Sequence, residues 1–359
     1  MFNRKRFSLA RQRRGLTGIQ LAEISGLTPV TVSRIESGQT RSPDQSTIDS
    51  LASALSYPSS FFMQPDDPEE LEVETVSFRS LKKMSSKERE AALAAGALGL
   101  QLYDWIEQEY KLPVPDVLDL GSINDPEGAA RMLRQHWGLG DRPIGNVLKL
   151  LESRGVRILS LAEQNNNVDA YSFWRRDRPF VFLNTVKTAE HSIYDSAHEL
   201  GHLCLHRHAG PRPTKSAELE ANRFAAAFLM PEHDIKAFVP RHGISTSLII
   251  RAKQRWRVSA MALTVRLNQI GWLSDWQYRS TCIELGKKGY RTSEKEGVER
   301  EKSTLWQQVL TDLWRRRMTK EDIAIRLNLP YDEIEKLLFG LTGASDTQPV
   351  KPERPRLVG

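Results

Sequence analysis

The stretch that most restricts this chain is His198-Glu199-Leu200-Gly201-His202, inside a run from Asp195 to His206 with helical composition. Residues four apart on an α-helix lie one above the other on the same face. His198 and His202 can therefore aim ring nitrogens at one point about 2.0–2.1 Å from each, the bond length of Zn²⁺. Glu199 projects about 100° further round the same turn, within reach of a water at that point but outside the coordination positions. The spacing predicts His198 and His202 as metal ligands and Glu199 as general base.

A catalytic zinc site uses three protein ligands and keeps one position open, so a third ligand is expected downstream. Ser216 to Ala225 reads as a second helix, with Ser216 as its N-cap and Glu218 and Glu220 in the first turn. Glu218 is the better candidate, because Asn222 shares its face and can orient a ligating histidine, whereas Glu220 points elsewhere. On spacing alone Glu220 stays open. A chance H-E-x-x-H on an amphipathic helix is the bland alternative, and the added E-x-x-x-N makes coincidence a poor explanation. Cys204 falls half a turn from the histidine face and reads as a small core residue. His206 extends that face by one turn. Spacing does not separate a surface role from support of a ligand or stabilisation of a tetrahedral intermediate.

At 359 residues with 40% hydrophobic content, the chain has room for two or three folded domains. No apolar run approaches the roughly 20 residues of a membrane span, and Met1 to Arg6 leads into no signal-like apolar stretch. With Cys204 and Cys282 as the only cysteines, a cytoplasmic protein is expected, and no membrane partner. The net charge of +6 is modest, so nucleic-acid binding has to be argued locally.

That local argument lies in residues 1–63, where Arg4, Lys5, Arg6, Arg11, Arg13, Arg14, Arg34 and Arg41 face Glu23, Glu36, Asp44 and Asp49. Thr17-Gly18-Ile19-Gln20 is a capping box, Thr28-Pro29 puts proline at a first helical position, and Ser42-Pro43-Asp44-Gln45 combines both signals. Ser25-Gly26-Leu27 makes the turn between two short helices, the punctuation of a helix-turn-helix. Leu21, Ala22, Ile24, Leu27, Val32 and Ile35 are expected to be buried between them. If the helix from Pro29 to Glu36 enters a major groove, Thr28, Val30 and Thr31 meet base edges and Arg34 reaches a base or phosphate, with Arg4 to Arg14 along the backbone. A helical protein-binding module is the alternative.

Pro65 to Glu70 reads as the start of a linker. Ser85-Ser86-Lys87-Glu88 caps a long helix running to about Lys111. Its apolar positions, Leu93, Ala97, Leu100 and Trp105, suit ordinary packing, with a spacer or homodimer contact as alternatives. Helices are expected from Pro126 to Trp137 and from Ile144 to Ser153. Strands are expected at 156–161, 170–174 and 180–184, the last as the edge strand that takes an extended peptide. The chain beyond Pro231 reads as helical through Ile270. Gly286 to Lys302 reads as a mobile, solvated link. Thr319 to Pro330 repeats the N-terminal motif in register, Thr17 with Thr319, Ala22 with Ala324 and Gly38 with Gly340. In its second helix Asp332, Glu333 and Glu335 would repel phosphate, so a structural or protein-binding role is expected. The Pro-rich end is expected to be disordered.

Two resemblances rest on these residues. Leu16-Thr17 through Gly38 resembles the Xre/Cro-type helix-turn-helix repressors, with Gly18 where that motif commonly has a DNA-contacting Gln. The region from about Pro143 to Pro231 resembles the ImmA/IrrE-type metallopeptidase family, through His198 to His206 and Glu218 to Pro231, and Trp256 to Leu263 looks like that family's C-terminal packing helices. The second resemblance implies a gluzincin-like peptidase with His198, His202 and Glu218 on zinc, Glu199 as base, and DNA-binding repressors as substrates. The implied fold is mainly α, α+β overall. A helix-turn-helix domain at 1–64 is followed by a linker at 65–84 and a metallopeptidase domain with a small sheet at 85–285. A link at 286–302, a second helix-turn-helix-like module at 303–342 and a tail at 343–359 complete it. The function expected is a cytoplasmic regulator that binds operator DNA and cleaves a partner regulator or itself. The alternative is a repressor or antitoxin-like protein whose zinc domain is a sensor or scaffold.

Overall fold

Most helix starts in the computed structural model follow side chains that satisfy free backbone N–H groups, Pro231 and Pro330 being uncapped starts; the residues described are 1–71, 77–78, 85–161, 170–208 and 214–343. In the N-terminal region these are α1 (Arg4–Arg13), α2 (Gly18–Ser25), α3 (Pro29–Glu36) and α4 (Gln45–Leu55), then a 3-10 turn, Ser59–Met63. Asn3, Thr17, Thr28 and Asp44 cap the four helices, and Thr17 and Gln20 form a reciprocal capping box. Gly26 closes α2 at φ +69°, the left-handed region that favours glycine. Leu21, Ala22, Val32 and Ile35 are buried between α2 and α3. Ile24, expected among them, is 57% exposed; it stands two positions, about 200°, from Ala22 and faces solvent.

Among the described residues four strands make one sheet: β1 (Ser77–Phe78), β2 (Arg157–Ser160), β3 (Ala170–Arg175) and β4 (Arg178–Leu183), in the order β1-β3-β4-β2. β3 and β4 form a hairpin through Arg176-Asp177, β2 runs parallel to β4, and β1 is antiparallel to β3. Segment 180–184 is therefore not the edge. Phe180, Val181, Phe182 and Leu183 are all buried, a continuous apolar run that suits a central strand with neighbours on both sides.

Alternation along β3 sorts the layers. Tyr171 and Phe173 stack on Phe182 and Phe180 on the face covered by α5 (Ser86–Glu109). Ser172 and Trp174 point to the opposite face. Gly96 and Gly99 let α5 lie directly on the aromatic face: a Cβ would come within 2.8 Å of the Tyr171 hydroxyl at Gly96, and within 2.8 Å of the Phe182 ring at Gly99. With α1 against its other side, this helix is a core element.

Helices α6 (Pro126–His136) and α7 (Val147–Ser153) lead to the sheet. After it come α8 (Ala189–Leu205), α9 (Lys215–Leu229), α10 (Glu232–Phe238), α11 (Thr246–Trp256), α12 (Ala260–Gln269) and α13 (Asp275–Lys287). The N-cap of α9 is Thr214, which accepts from the Ala217 N–H, and not Ser216, whose hydroxyl donates to Glu220.

The stretch 286–302, expected to be a solvated link, is a fastened strap. Glu301 accepts from the Val147 and Leu148 N–H groups at the start of α7, and Glu294 from Ala260 N–H at the start of α12. Buried Lys253 pairs with Glu294 and donates to the Glu296 carbonyl. Carboxylates there satisfy helix N-termini and a buried cation, so the charge that reads as solvation in sequence acts as an anchor.

Beyond the strap lie α14 (Thr304–Arg315), α15 (Lys320–Leu327) and α16 (Tyr331–Leu338). Two of the acids of α16 face the end of α1: Glu333 bonds Arg13 Nε at 2.7 Å, and Arg14 Nη1 reaches Asp332 at 2.7 Å and Glu333 at 2.9 Å, while Glu335 pairs with Lys320. Arg13 and Arg14, expected with the rest of Arg4 to Arg14 along the DNA backbone, are taken up by α16 instead. Arg4 donates to the Ser37 carbonyl, Arg6 to the Asp66 carbonyl, Arg11 bonds Glu36, and Lys5 pairs with Asp67. Residues 72–76 and 79–84 of the expected linker, and 344–359 of the expected tail, lie outside the described residues.

Candidate metal centre

Helix α8 runs between the sheet and α9. Its C-terminal carbonyls are held by Leu120 N–H on Cys204 and by Trp174 Nε1–H on Leu203. Gly201 faces α9, where a Cβ would stand 3.2 Å from Ala221 Cα and 3.1 Å from the Phe224 ring. That close approach brings Glu218, in the first turn of α9, to the histidines of α8.

The geometry there is specific. His198 Nε2 and His202 Nε2 are 3.1 Å apart, and the Glu218 carboxylate oxygens lie 3.4 Å and 3.3 Å from them. A tetrahedral zinc with bonds of about 2.0–2.1 Å separates its ligand atoms by about 3.3 Å, so two imidazoles and one carboxylate stand at the edges such an ion requires. Among the described residues this is the one group of three or more potential ligands brought together in this way. His198 is fully buried and His202 4% exposed, while the Glu218 side chain is 25% exposed, so the centre opens on the Glu218 side. Burial works against the charge of Glu218, but hydrogen bonds from His198 and His202 outweigh it and bring its carboxyl down to about 2.

Glu199, next in sequence to His198, is fully buried, and Ser172 Oγ donates to its Oε2 at 2.6 Å. Nothing in the sequence around Ser172 marks it, since the contact joins a strand to a helix. Glu220 stands outside the cluster: it bonds His206 Nε2 at 3.1 Å and Ser216 Oγ at 2.7 Å. His206 Nδ1 in turn lies 3.0 Å from His202 Nδ1, so Glu220 and His206 form a chain behind a cluster histidine. Asn222, expected to orient a ligating histidine, instead donates to the Glu218 backbone carbonyl at 2.8 Å; as an i+4 neighbour it reaches the turn behind it within its own helix. Cys204 is fully buried, with its thiol pushed well up by burial.

A histidine that holds the far nitrogen of a ligand fixes that ring's tautomer and orientation. His206→Ala is therefore expected to weaken zinc binding by about 10–100-fold without unfolding the domain, as read by competition with a chromogenic chelator. An unchanged affinity would make His206 a bystander.

On the N-terminal domain, Thr28, Val30 and Arg34 are exposed on one end and side of α3, and Thr31 is half-buried. Thr28 Oγ1 accepts from Thr31 N–H, so its hydroxyl serves the helix cap as well as the surface.

Residues 151–268 match the family model Peptidase_M78, the IrrE N-terminal-like domain, and residues 8–62 match the helix-turn-helix model HTH_3. The chain is a helix-turn-helix domain fused to an ImmA/IrrE-type domain. No curated protein matches it. The ImmA/IrrE-type match contains β2, β3, β4 and the helices α8 and α9, hence every residue of the His198, His202 and Glu218 cluster. The helix-turn-helix match makes the N-terminal region a DNA-binding domain. No helix among the described residues is long and apolar enough to cross a membrane.

Proposed function

We propose that this DNA-binding regulator carries a zinc-dependent endopeptidase in its ImmA/IrrE-type domain, which cleaves a DNA-binding partner protein or the chain itself. The observation that carries the reading is the set of tetrahedral-edge distances among His198, His202 and Glu218. Zinc bound there would acidify a water and polarise a scissile carbonyl. His198, His202 and Glu218 would hold the ion, with His206 and Glu220 orienting His202. Ser172 fixes Glu199 in one rotamer through Oε2, and Glu199 takes a proton from the attacking water and returns it to the leaving amine. Thr28, Val30, Thr31 and Arg34 are the residues we assign to operator contacts.

The decisive experiment takes the full chain, purified and analysed for metal, with its candidate partner regulators. About one zinc per chain is expected, together with cleavage that stops on chelation and returns on adding zinc. Full zinc in the His202→Ala chain would overturn the site assignment. Complete burial of His198 and Glu199 favours a second reading, in which the zinc domain is a sensor or scaffold with little proteolysis.

A further inference from the structure

We infer that the chain occupies its own substrate edge: Ser77–Phe78, from the stretch that follows the DNA-binding domain, sits where an extended peptide would pair beside the metal centre, so a protein substrate has to displace it. The inference rests on the peptidase reading and adds to it a regulation of the same site.

Strand β3 touches the base. Ser172 Oγ bonds Glu199, and two residues on Trp174 bonds the Leu203 carbonyl of α8. One side of β3 is taken by β4 over its whole length, from Ala170 opposite Leu183 to Arg175 opposite Arg178. Its other side is the only edge of β3 that a peptide can add to, and Ser77–Phe78 already pairs there, antiparallel, with Ser77 opposite Ser172 and Phe78 opposite Tyr171. A strand in that register lays its backbone against the residue that positions Glu199. An extended segment adding to an exposed edge gains main-chain hydrogen bonds irrespective of its sequence, which is how one edge accepts either a substrate or a piece of its own chain.

The approach to the edge is anchored. Glu69 bonds Arg175 Nε at 2.7 Å at the far end of β3, and Leu71 packs over Gly96 beside Tyr171. The pairing itself spans two residues, while β3 offers six. A short ladder on a long strand is displaced by a longer one, because each added residue pair contributes further hydrogen bonds. The segment therefore acts as a competitor set to yield to a substrate that pairs along β3.

The test uses the full chain with Glu199→Gln, so that nothing is cut during binding, and the double change Ser77→Pro with Phe78→Pro, which removes the one N–H of the pair that faces β3, whichever residue carries it. The probe is a labelled synthetic peptide of residues 70–85. An occupied edge lowers apparent affinity by the fraction of time it is free. The proline variant is expected to bind the probe at least about tenfold more tightly and to exchange the backbone amide that faces β1, at Tyr171 or Ser172, at least about tenfold faster, with the probe restoring protection. The two single variants, Ser77→Pro and Phe78→Pro, serve if the double one is unstable, since one of them removes the N–H that faces β3. Equal exchange and equal binding in the two chains would overturn the inference. With Glu199 restored, the variant should cut faster; an opened edge with an unchanged cleavage rate would overturn the blocking role. If the edge opens and binds the probe while neither chain cuts any protein, the occupancy stands and the peptidase reading falls.

Discussion

Glu199→Gln is expected to leave zinc content, fold and DNA binding as they are while slowing peptide cleavage by about 10²–10⁴-fold, the usual contribution of a positioned general base. The side chain is fully buried, so an isosteric amide is the least disruptive change available. Its amide oxygen can still accept from Ser172 Oγ, which keeps the rotamer. The lost property is basicity alone, because an amide takes no proton from water at neutral pH. Initial cleavage rates, metal analysis and salt-dependent operator binding on one preparation separate these effects. A reporter strain in which the variant retains full regulation would count against proteolysis as the mechanism and leave the scaffold reading in place.

Glu333→Ala is expected to destabilise the full chain by about 3–5 kcal/mol, because it strands a buried cation. Both members of the pair are shielded, with 5% of the Arg13 side chain and none of Glu333 exposed. Urea unfolding measures the loss. The matched double change, Arg13→Met with Glu333→Leu, should recover most of it, since replacing both charges removes the desolvation penalty together with the attraction. A single variant as stable as the parent would show that α16 does not hold α1. The neighbouring Asp332 sets the pH sense of this contact. Burial works to raise its pKa, but hydrogen bonds from Arg14 and Lys336 outweigh it and bring the carboxyl to about 2. A folded-state value below the unfolded one stabilises at neutral pH, and that part is lost as pH falls from about 4 toward 2. With 45% of its side chain exposed, Asp332 contributes little beside Glu333.

The candidate site was legible in part. Helix starts such as Thr17, Thr28, Ser85 and Thr319 were readable because a cap and the N–H it satisfies lie within three residues. The same reach placed His198 over His202; Glu218 was favoured over Glu220 because Asn222 shares its face, yet Asn222 bonds the Glu218 carbonyl rather than a histidine. Alternation and apolar runs located the three longer strands. The repeat of the helix-turn-helix pattern at Thr319 was visible for the same reason.

What only the tertiary structure decided is who meets whom across long stretches of chain. Ser172 reaches Glu199 because β3 packs on α8, and Glu220 reaches His206 because Gly201 lets α9 approach. Strand 180–184 reads alike as edge or centre until β2 pairs with it. Arg13 and Arg14 read as part of a DNA-facing surface until α16 supplies Asp332 and Glu333, and the glutamates of 286–302 read as solvated until they find helix N-termini. Local sequence sets backbone preferences over a few residues. A charge or hydrogen-bonding group finds its partner in space, and the distance along the chain between the two carries no periodic signal.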